Sequence, residues 1–183
     1  VKRNILKLLK DKYNIEEDDF LSAEIEIVPA GKARDCGLDR SMIMGYGQDD
    51  RVCAYTSLMA LLEAENLSRT GICLLADKEE VGSVGATGMH SHFFENTIAE
   101  IMNLTGEYSE LSLRRALRNC FMLSSDVSAA FDPNYAASFE KKNSAYFGKG
   151  LVFNKYTGAR GKSGCNDANA EYLAKLRKVM DDE

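Results

Sequence analysis

The chain has 183 residues, of which 45% are hydrophobic and 28% are charged, and only two are prolines. This composition is typical of a folded globular domain and excludes a disordered or collagen-like chain. The net charge of −5 without a basic cluster argues against nucleic-acid binding, and no apolar run approaches the roughly 20 residues of a membrane helix.

The first third of the chain alternates helical and extended patterns. Apolar residues at helical spacing predict a helix over residues 1–13, and alternating Ile and Glu predict a half-exposed strand over 23–28, which a Pro-Ala-Gly turn ends. After Gly47, a long apolar-rich stretch predicts a mostly buried helix over 49–65.

The rest of the chain alternates short apolar runs with helical patterns. Buried strands are predicted over residues 71–76, 120–123 and 151–153. Helices are predicted over residues 92–104, 109–119 and 166–180. Strands that alternate with helices indicate an α/β fold, in which helices flank both faces of a sheet.

Acidic side chains follow two of these predicted strands. The first strand runs into the Asp-Lys-Glu-Glu sequence of residues 77–80, and the second leads to Asp126. Ligands of open α/β sheets bind at the carboxyl ends of the strands. Because carboxylates gathered there repel each other unless a cation neutralises them, the pattern predicts a metal site.

The adjacent glutamates at this position suit hydrolysis. Successive side chains of an extended segment point to opposite sides, so that one of Glu79 and Glu80 can bind metal while the other faces the attacking water. Asp49, which follows the turn at residues 45–48, adds a carboxylate that can bridge two metals. These residues predict two-metal hydrolysis.

Each carboxylate also has a purely structural interpretation. Asp49 and Asp50 can cap a helix and complement its dipole, which contributes about 1 kcal/mol. Glu79 with Glu80 is compatible with a solvated turn, and Asp126 with an Asx turn. Both interpretations stay open at this point.

Other motifs give weaker predictions. The His-Ser-His sequence at residues 90–92 has the spacing of a metal pair on a strand, but it opens a predicted helix, which favours a surface or capping role. The sequence at 158–163 departs from a phosphate loop because Tyr156 stands where the first glycine is required. Ser124 and Ser125 lack the Gly-x-Ser-x-Gly elbow of serine hydrolases.

The five cysteines are scattered without a C-x-x-C pair, which indicates free thiols in a reducing compartment. The N-terminal residues are charged and contain no apolar stretch typical of a signal peptide. We therefore expect a cytoplasmic protein.

Three motifs occur in an order known from one peptidase family. They are Gly47-Gln48-Asp49-Asp50-Arg51, Asp77-Lys78-Glu79-Glu80-Val81-Gly82-Ser83, and Ser124-Ser125-Asp126-Val127 with Asp132-Pro133-Asn134-Tyr135. The chain thereby resembles the aspartyl aminopeptidase and aminopeptidase I family, and residues 28–35 and 166–169 extend the similarity to its bacterial members.

The resemblance implies an aminopeptidase that removes N-terminal residues from peptides by means of a metal-activated water. Asp49 would bridge two zinc ions, Glu80 and Asp126 would each bind one of them, and Glu79 would be the general base. Manganese or cobalt also suits such oxygen-rich ligands.

The resemblance also implies a substrate preference and an assembly. Eukaryotic members prefer an N-terminal Asp or Glu, and the basic candidates to bind its carboxylate are Lys149, Lys155, Arg160 and Lys162. The family forms homo-oligomers built from dimers, usually dodecamers. Residues 1–40 would be the tail of the dimerisation or insert domain, and 41–183 part of the catalytic domain.

Two zinc-binding histidines of the family have no counterpart in this chain. The Met-His-Ser sequence at residues 89–91 resembles one of their motifs but follows the two glutamates too closely, and residues 128–131 lack a histidine that many relatives carry. We therefore expect a central fragment that is inactive by itself. A non-catalytic assembly module, or a related two-metal deacylase or carboxypeptidase, is the alternative.

Overall fold

The structure is a computed structural model of the chain, and it describes residues 1–154 and 169–182. It contains helices α1 (Lys2–Tyr13), α2 (Gln48–Glu63), α3 (Phe93–Leu104), α4 (Glu110–Arg118) and α5 (Ala170–Asp182), and strands β1 (Arg34–Cys36) and β2 (Met42–Met44). Short 3-10 helices cover Asp18–Leu21, Pro133–Ser138 and Lys141–Asn143. The chain divides into two units, Val1–Cys73 and Leu74–Glu183.

All five predicted helices are formed, with ends that differ by a few residues from the prediction. α4 begins where the Ser109 hydroxyl accepts a hydrogen bond from the Ser112 N–H at 3.0 Å. α1 ends at Asn14, whose left-handed conformation, with a φ of 57°, reverses the chain direction. Residues 166–168, predicted to begin the last helix, lie outside the described residues.

The first unit contains an antiparallel hairpin that the sequence analysis missed. β1 pairs with β2 in the register Arg34 to Met44 and Cys36 to Met42. In the turn between the strands, Asp39 Oδ1 accepts a hydrogen bond from Ser41 N at 3.1 Å. This side-chain hydrogen bond favours a turn. A search for alternating apolar and polar residues does not reveal it.

The four predicted strands are not formed, so those predictions were wrong. Residues 23–28, 71–76, 120–123 and 151–153 have no assigned secondary structure. A strand requires a neighbour to accept and donate its backbone hydrogen bonds, and the described residues form only the β1–β2 ladder and one bridge, between Ala130 and Ala145. The architecture is helices with a small sheet, which is consistent with the α/β class.

Few apolar side chains of the described residues are withdrawn from solvent. Leu113 on α4, at 5% exposure, is the one buried hydrophobic residue among them, and α3 packs against α4. The prediction that α2 is mostly buried was wrong, because Tyr55 and Leu62 on this helix are both more than half exposed. No helix in the ranges 1–154 and 169–182 is long and apolar enough to span a membrane.

The cysteines within the described ranges are free thiols, as predicted: Cys36, Cys53, Cys73 and Cys120. Cys165 lies outside those ranges.

Candidate functional site

Glu79 and Glu80 lie in a loop of the second unit, residues 77–91, which we call the Glu-Glu loop. The loop connects the apolar segment 71–76 to α3 and contains neither helix nor strand. The two glutamates are exposed. A metal ion or a peptide from solvent can therefore reach this part of the loop.

Nested backbone hydrogen bonds close a tight turn around the two glutamates. Gly82 N donates to Glu79 O at 2.8 Å, and Ser83 N donates to Lys78 O at 2.8 Å. Lys78, Gly82 and Ser83 have positive φ angles of 61°, 86° and 59°. These left-handed residues turn the backbone sharply. Glu79 is the first residue of the inner turn, and Glu80 is one of its two central residues.

The second half of the loop is bonded back to the first half. Thr87 Oγ1 donates to Asp77 Oδ2 at 3.0 Å, and His90 N donates to Ser83 O at 3.2 Å. Gly88 is buried, and a Cβ added to it would lie 2.8 Å from the carbonyl carbon of Ser83. Only glycine allows the two halves to approach this closely.

The hydrogen bond from Thr87 lowers the pKa of Asp77 below its ordinary value, and the Lys78 backbone N–H adds to this effect. A hydrogen bond to the ionised carboxylate favours the charged form. Asp77 is therefore an ionised acceptor for the Thr87 hydroxyl at neutral pH.

Asp49 lies in the first unit, at the start of α2. Gly47 precedes the helix with a φ of 76°, and no side-chain hydrogen bond caps this end. Asp49 and Asp50 have non-helical dihedral angles, and the peptide bond between them is cis. Because no side-chain hydrogen bond caps this end, the capping interpretation of Asp49 is not realised, but both aspartates lie in the first turn of α2, as the dipole interpretation expects. The side chain of Asp49 is exposed.

Asp126 lies in a segment of the second unit that is neither helix nor strand, and it is also exposed. Its Oδ1 accepts a hydrogen bond from the adjacent Val127 N at 2.7 Å. The Asx geometry occurs instead at Asp132, whose Oδ1 accepts from Asn134 N at 2.8 Å and caps the following 3-10 helix. The Asx-turn interpretation of Asp126 is therefore not realised.

The predicted ligands offer carboxylate oxygens, which are donor atoms that bind metal ions. Asp49, Glu80 and Asp126 form no ion pair with another described residue, so their carboxylate oxygens are not neutralised by a neighbouring cation there. Carboxylate oxygens bind zinc as well as manganese. No group of three or more His, Cys, Asp and Glu within residues 1–154 and 169–182 is arranged to hold a metal ion. The three-residue ligand set therefore stays a prediction.

The histidines take the surface role that the sequence favours. His92 occupies the N-cap position of α3, its side chain is 85% exposed, and its Nδ1 lies 3.5 Å from Glu95 Oε2. The hydroxyl of Ser91 accepts a hydrogen bond from Phe93 N at 3.2 Å at the same helix end.

Of the basic candidates for substrate binding, Lys149 is exposed, and its backbone N–H donates to Tyr146 O at 3.2 Å in a turn. Lys155, Arg160 and Lys162 lie outside the described residues.

Thr87 and Gly88 are contributors to the Glu-Glu loop that the sequence analysis missed. The available signal was the regular spacing of Gly82, Gly85 and Gly88, since glycines close together after a predicted strand indicate a turn or a close backbone approach. Spacing alone did not show which side chain would bond across the loop.

The comparisons with known proteins agree over the whole chain. Residues 1–183 match the family described as aminopeptidase I zinc metalloprotease (M18). A protein of Clostridium acetobutylicum named "Probable M18 family aminopeptidase 1" is 69% identical over 183 residues, which cover 100% of this chain and 39% of that protein.

Solved structures give the same result. The crystal structure of aminopeptidase I from Clostridium acetobutylicum matches with a TM-score of 0.85 and 68% identity, covering 96% of this chain and 38% of that one. An M18 family aminopeptidase from Thermotoga maritima matches with a TM-score of 0.86 and 43% identity, covering 100% and 40%. The chain thus spans about two fifths of the length of these relatives. It belongs to the M18 family of aminopeptidase I zinc metalloproteases.

Proposed function

We propose that this chain contributes the general base and three carboxylate ligands to a zinc aminopeptidase that removes N-terminal residues from peptides. The observation that carries the proposal is the exposed Glu79–Glu80 pair within a hydrogen-bonded loop. It occurs in a chain that matches the M18 family over its whole length.

Asp49, Glu80 and Asp126 would hold the metal, with Asp49 shared between two ions. Bound zinc supplies Lewis-acid activation of a water and of the substrate carbonyl. The exposed position of all three carboxylates supports this assignment, as does the absence of a cationic partner for them among the described residues. Zinc is the metal of the family description, and manganese or cobalt would suit the same oxygen ligands.

Glu79 moves the proton in this proposal. Its carboxylate takes a proton from the attacking water and returns it to the amine that leaves, so the residue is regenerated in each cycle. The closed turn fixes the backbone that carries this base, which suits a repeated transfer at one position. The neighbouring Glu80 then remains available as a ligand.

Recognition of an acidic N-terminal residue is the finer part of the proposal. Lys149 is exposed and carries the charge required to bind a substrate carboxylate, and Lys155 and Arg160 are proposed on charge alone. An ion pair with such a lysine would favour N-terminal Asp or Glu over neutral residues.

The proposal extends to architecture and assembly. Residues 1–40 would belong to a dimerisation or insert domain, and residues 41–183 to a catalytic α/β domain whose sheet has helices on both faces. The exposed apolar side chains of segments 71–76 and 120–123 support a sheet completed by other parts of the longer family chains. The complete enzyme would be a cytoplasmic, dimer-based oligomer, up to a dodecamer.

A chimera tests the proposed activity. The chain would replace the matching segment of the Clostridium acetobutylicum relative, to which it is 69% identical. We expect two zinc ions per chain by metal analysis, and hydrolysis of peptides that have a free N-terminus, fastest for N-terminal Asp or Glu. Cleavage of N-acylated substrates alone would indicate a deacylase, and a folded chimera without zinc or turnover would indicate an assembly module.

A further inference from the structure

We propose that Thr87 and Gly88 are positioning residues that hold the Glu79–Glu80 turn in the orientation required for proton transfer and metal binding. The proposal rests on the proposed function of the two glutamates. Neither Thr87 nor Gly88 needs to touch the substrate or the metal, because both act through the shape of the Glu-Glu loop.

Both ends of the turn are bonded to one short segment, residues 87–90. Asp77, directly before the turn, accepts the hydroxyl hydrogen bond of Thr87 at 3.0 Å. Ser83, at the other end, accepts the backbone hydrogen bond of His90 at 3.2 Å. Residues 87–90 therefore fix the entry and the exit of the turn together.

The two halves of the loop leave no space for a side chain at position 88. A Cβ on Gly88 would lie 2.8 Å from the carbonyl carbon of Ser83 and still closer to its oxygen. Both atoms belong to the backbone, so a flexible side chain cannot relieve the contact. A larger residue at position 88 would move residues 87–90 away and weaken the bonds to Asp77 and Ser83.

The shape of the loop affects catalysis because it positions Glu79, the proposed general base. The inner hydrogen bonds, Gly82 N to Glu79 O and Ser83 N to Lys78 O, define the turn itself. The Thr87 and His90 bonds tie this turn to residues 87–90, which lead into α3. Displacing a general base by about 1 Å can slow a reaction on the order of 100-fold. The Thr87 and His90 hydrogen bonds therefore influence the rate.

The test uses matched variants of the chimera. Thr87→Val removes the hydroxyl but keeps the side-chain shape, and we expect kcat to fall on the order of 10-fold or more while KM stays within about twofold. Thr87→Ser keeps the donor and should restore kcat. Thr97→Val on α3, whose hydroxyl donates to Phe93 O at 2.7 Å, is the control and should leave kcat unchanged.

Amide hydrogen exchange provides a measurement that does not depend on activity. Thr87→Val and Gly88→Ala should speed exchange at Gly82, Ser83 and His90 and leave exchange in α4 unchanged. The positioning role is overturned if exchange in the loop is unaltered, if Thr87→Val keeps full kcat, or if Thr87→Ser is as slow as Thr87→Val. If the parent chimera has no peptidase activity, the proposed function fails, and the exchange data alone decide whether Thr87 and Gly88 hold the turn.

Discussion

The Glu-Glu loop and the apolar segment just before it, residues 71–76, differ in how their backbone groups are satisfied. The loop closes on itself through bonds such as Ser83 N to Lys78 O. The apolar segment belongs to no ladder of the described structure, and its Ile72 and Leu75 side chains are 51% and 56% exposed. Local residues suffice to shape a loop, whereas a strand takes its shape from a neighbour that is distant in sequence.

The largest expected effect tests the chemical role of the loop. In the chimera with the Clostridium acetobutylicum relative, Glu79→Gln should lower kcat by about 10²- to 10⁴-fold, because the amide cannot accept a proton. Metal analysis should find zinc retained. Glu100→Gln, an exposed residue on α3, is the matched control. Loss of zinc in Glu79→Gln would mean that Glu79 is a ligand and that Glu80 is the base.

The next prediction tests the dependence of segment 71–76 on a neighbour. Leu75→Ala should change the unfolding free energy of the chain alone by less than about 0.5 kcal/mol, because the side chain is largely exposed. In the chimera the same change should cost about 2–5 kcal/mol if the sheet buries Leu75. Urea unfolding of both proteins measures the difference, and equal costs would contradict the proposed sheet.

Gly88→Ala tests the close approach inside the loop. The added methyl group would collide with the Ser83 carbonyl, so we expect a loss of about 1–3 kcal/mol in unfolding free energy. Gly31→Ala is the control, because no atom lies within 4 Å of its added Cβ. A cost as small as that of the control would show that the loop halves are not closely packed.

Ser109→Ala tests a helix end that depends only on local residues. The change removes the acceptor of the Ser112 N–H bond, and we expect α4 to lose about 1 kcal/mol. Ser109→Thr keeps the hydroxyl and should cost less. Thermal unfolding monitored by circular dichroism compares the two, and equal costs would exclude capping as the cause.

The smallest expected effect is a change in the pKa of Asp77. Because its pKa is below the ordinary 3.8 in the folded chain, its contribution to stability is present above that pH and is lost as pH falls through the lowered folded pKa. Thr87→Val should raise the pKa toward the ordinary value, measured by carbon NMR of the carboxyl group. The pKa of Asp39, lowered mainly by the Ser41 hydroxyl, should not change.

The same distinction between local and distant partners explains what the sequence could predict. All five helices were predicted because their apolar spacing is a pattern of neighbouring residues, and α4 also begins at a local cap, Ser109. The strands at 71–76 and 120–123 were not formed, since apolar character alone does not provide a hydrogen-bonding neighbour. The β1–β2 hairpin was missed because its three-residue strands are too short to show alternation.

The candidate site also has one part that local residues shape and another that depends on residues distant in sequence. The turn that presents Glu79 and Glu80 follows from glycines and polar residues within the loop, and its glycine spacing was visible in the sequence. Asp49 and Asp126 lie far from the loop in sequence, so a site that combined all of them would depend on packing between distant segments. The pattern of carboxylates predicted a metal site, whereas the role of each residue as ligand or base was inferred from the family motifs.

The self-closing bonds of the Glu-Glu loop also limit how its length can change during evolution. Deleting or inserting one residue between Asp77 and His90 would bring the wrong atoms opposite Thr87 and Ser83, and both cross-loop bonds would be lost. Single-residue replacements that keep the spacing, the hydroxyl and the glycine leave the bonding pattern intact. Among homologous chains, length should therefore be better preserved in this loop than in the connection at residues 64–70.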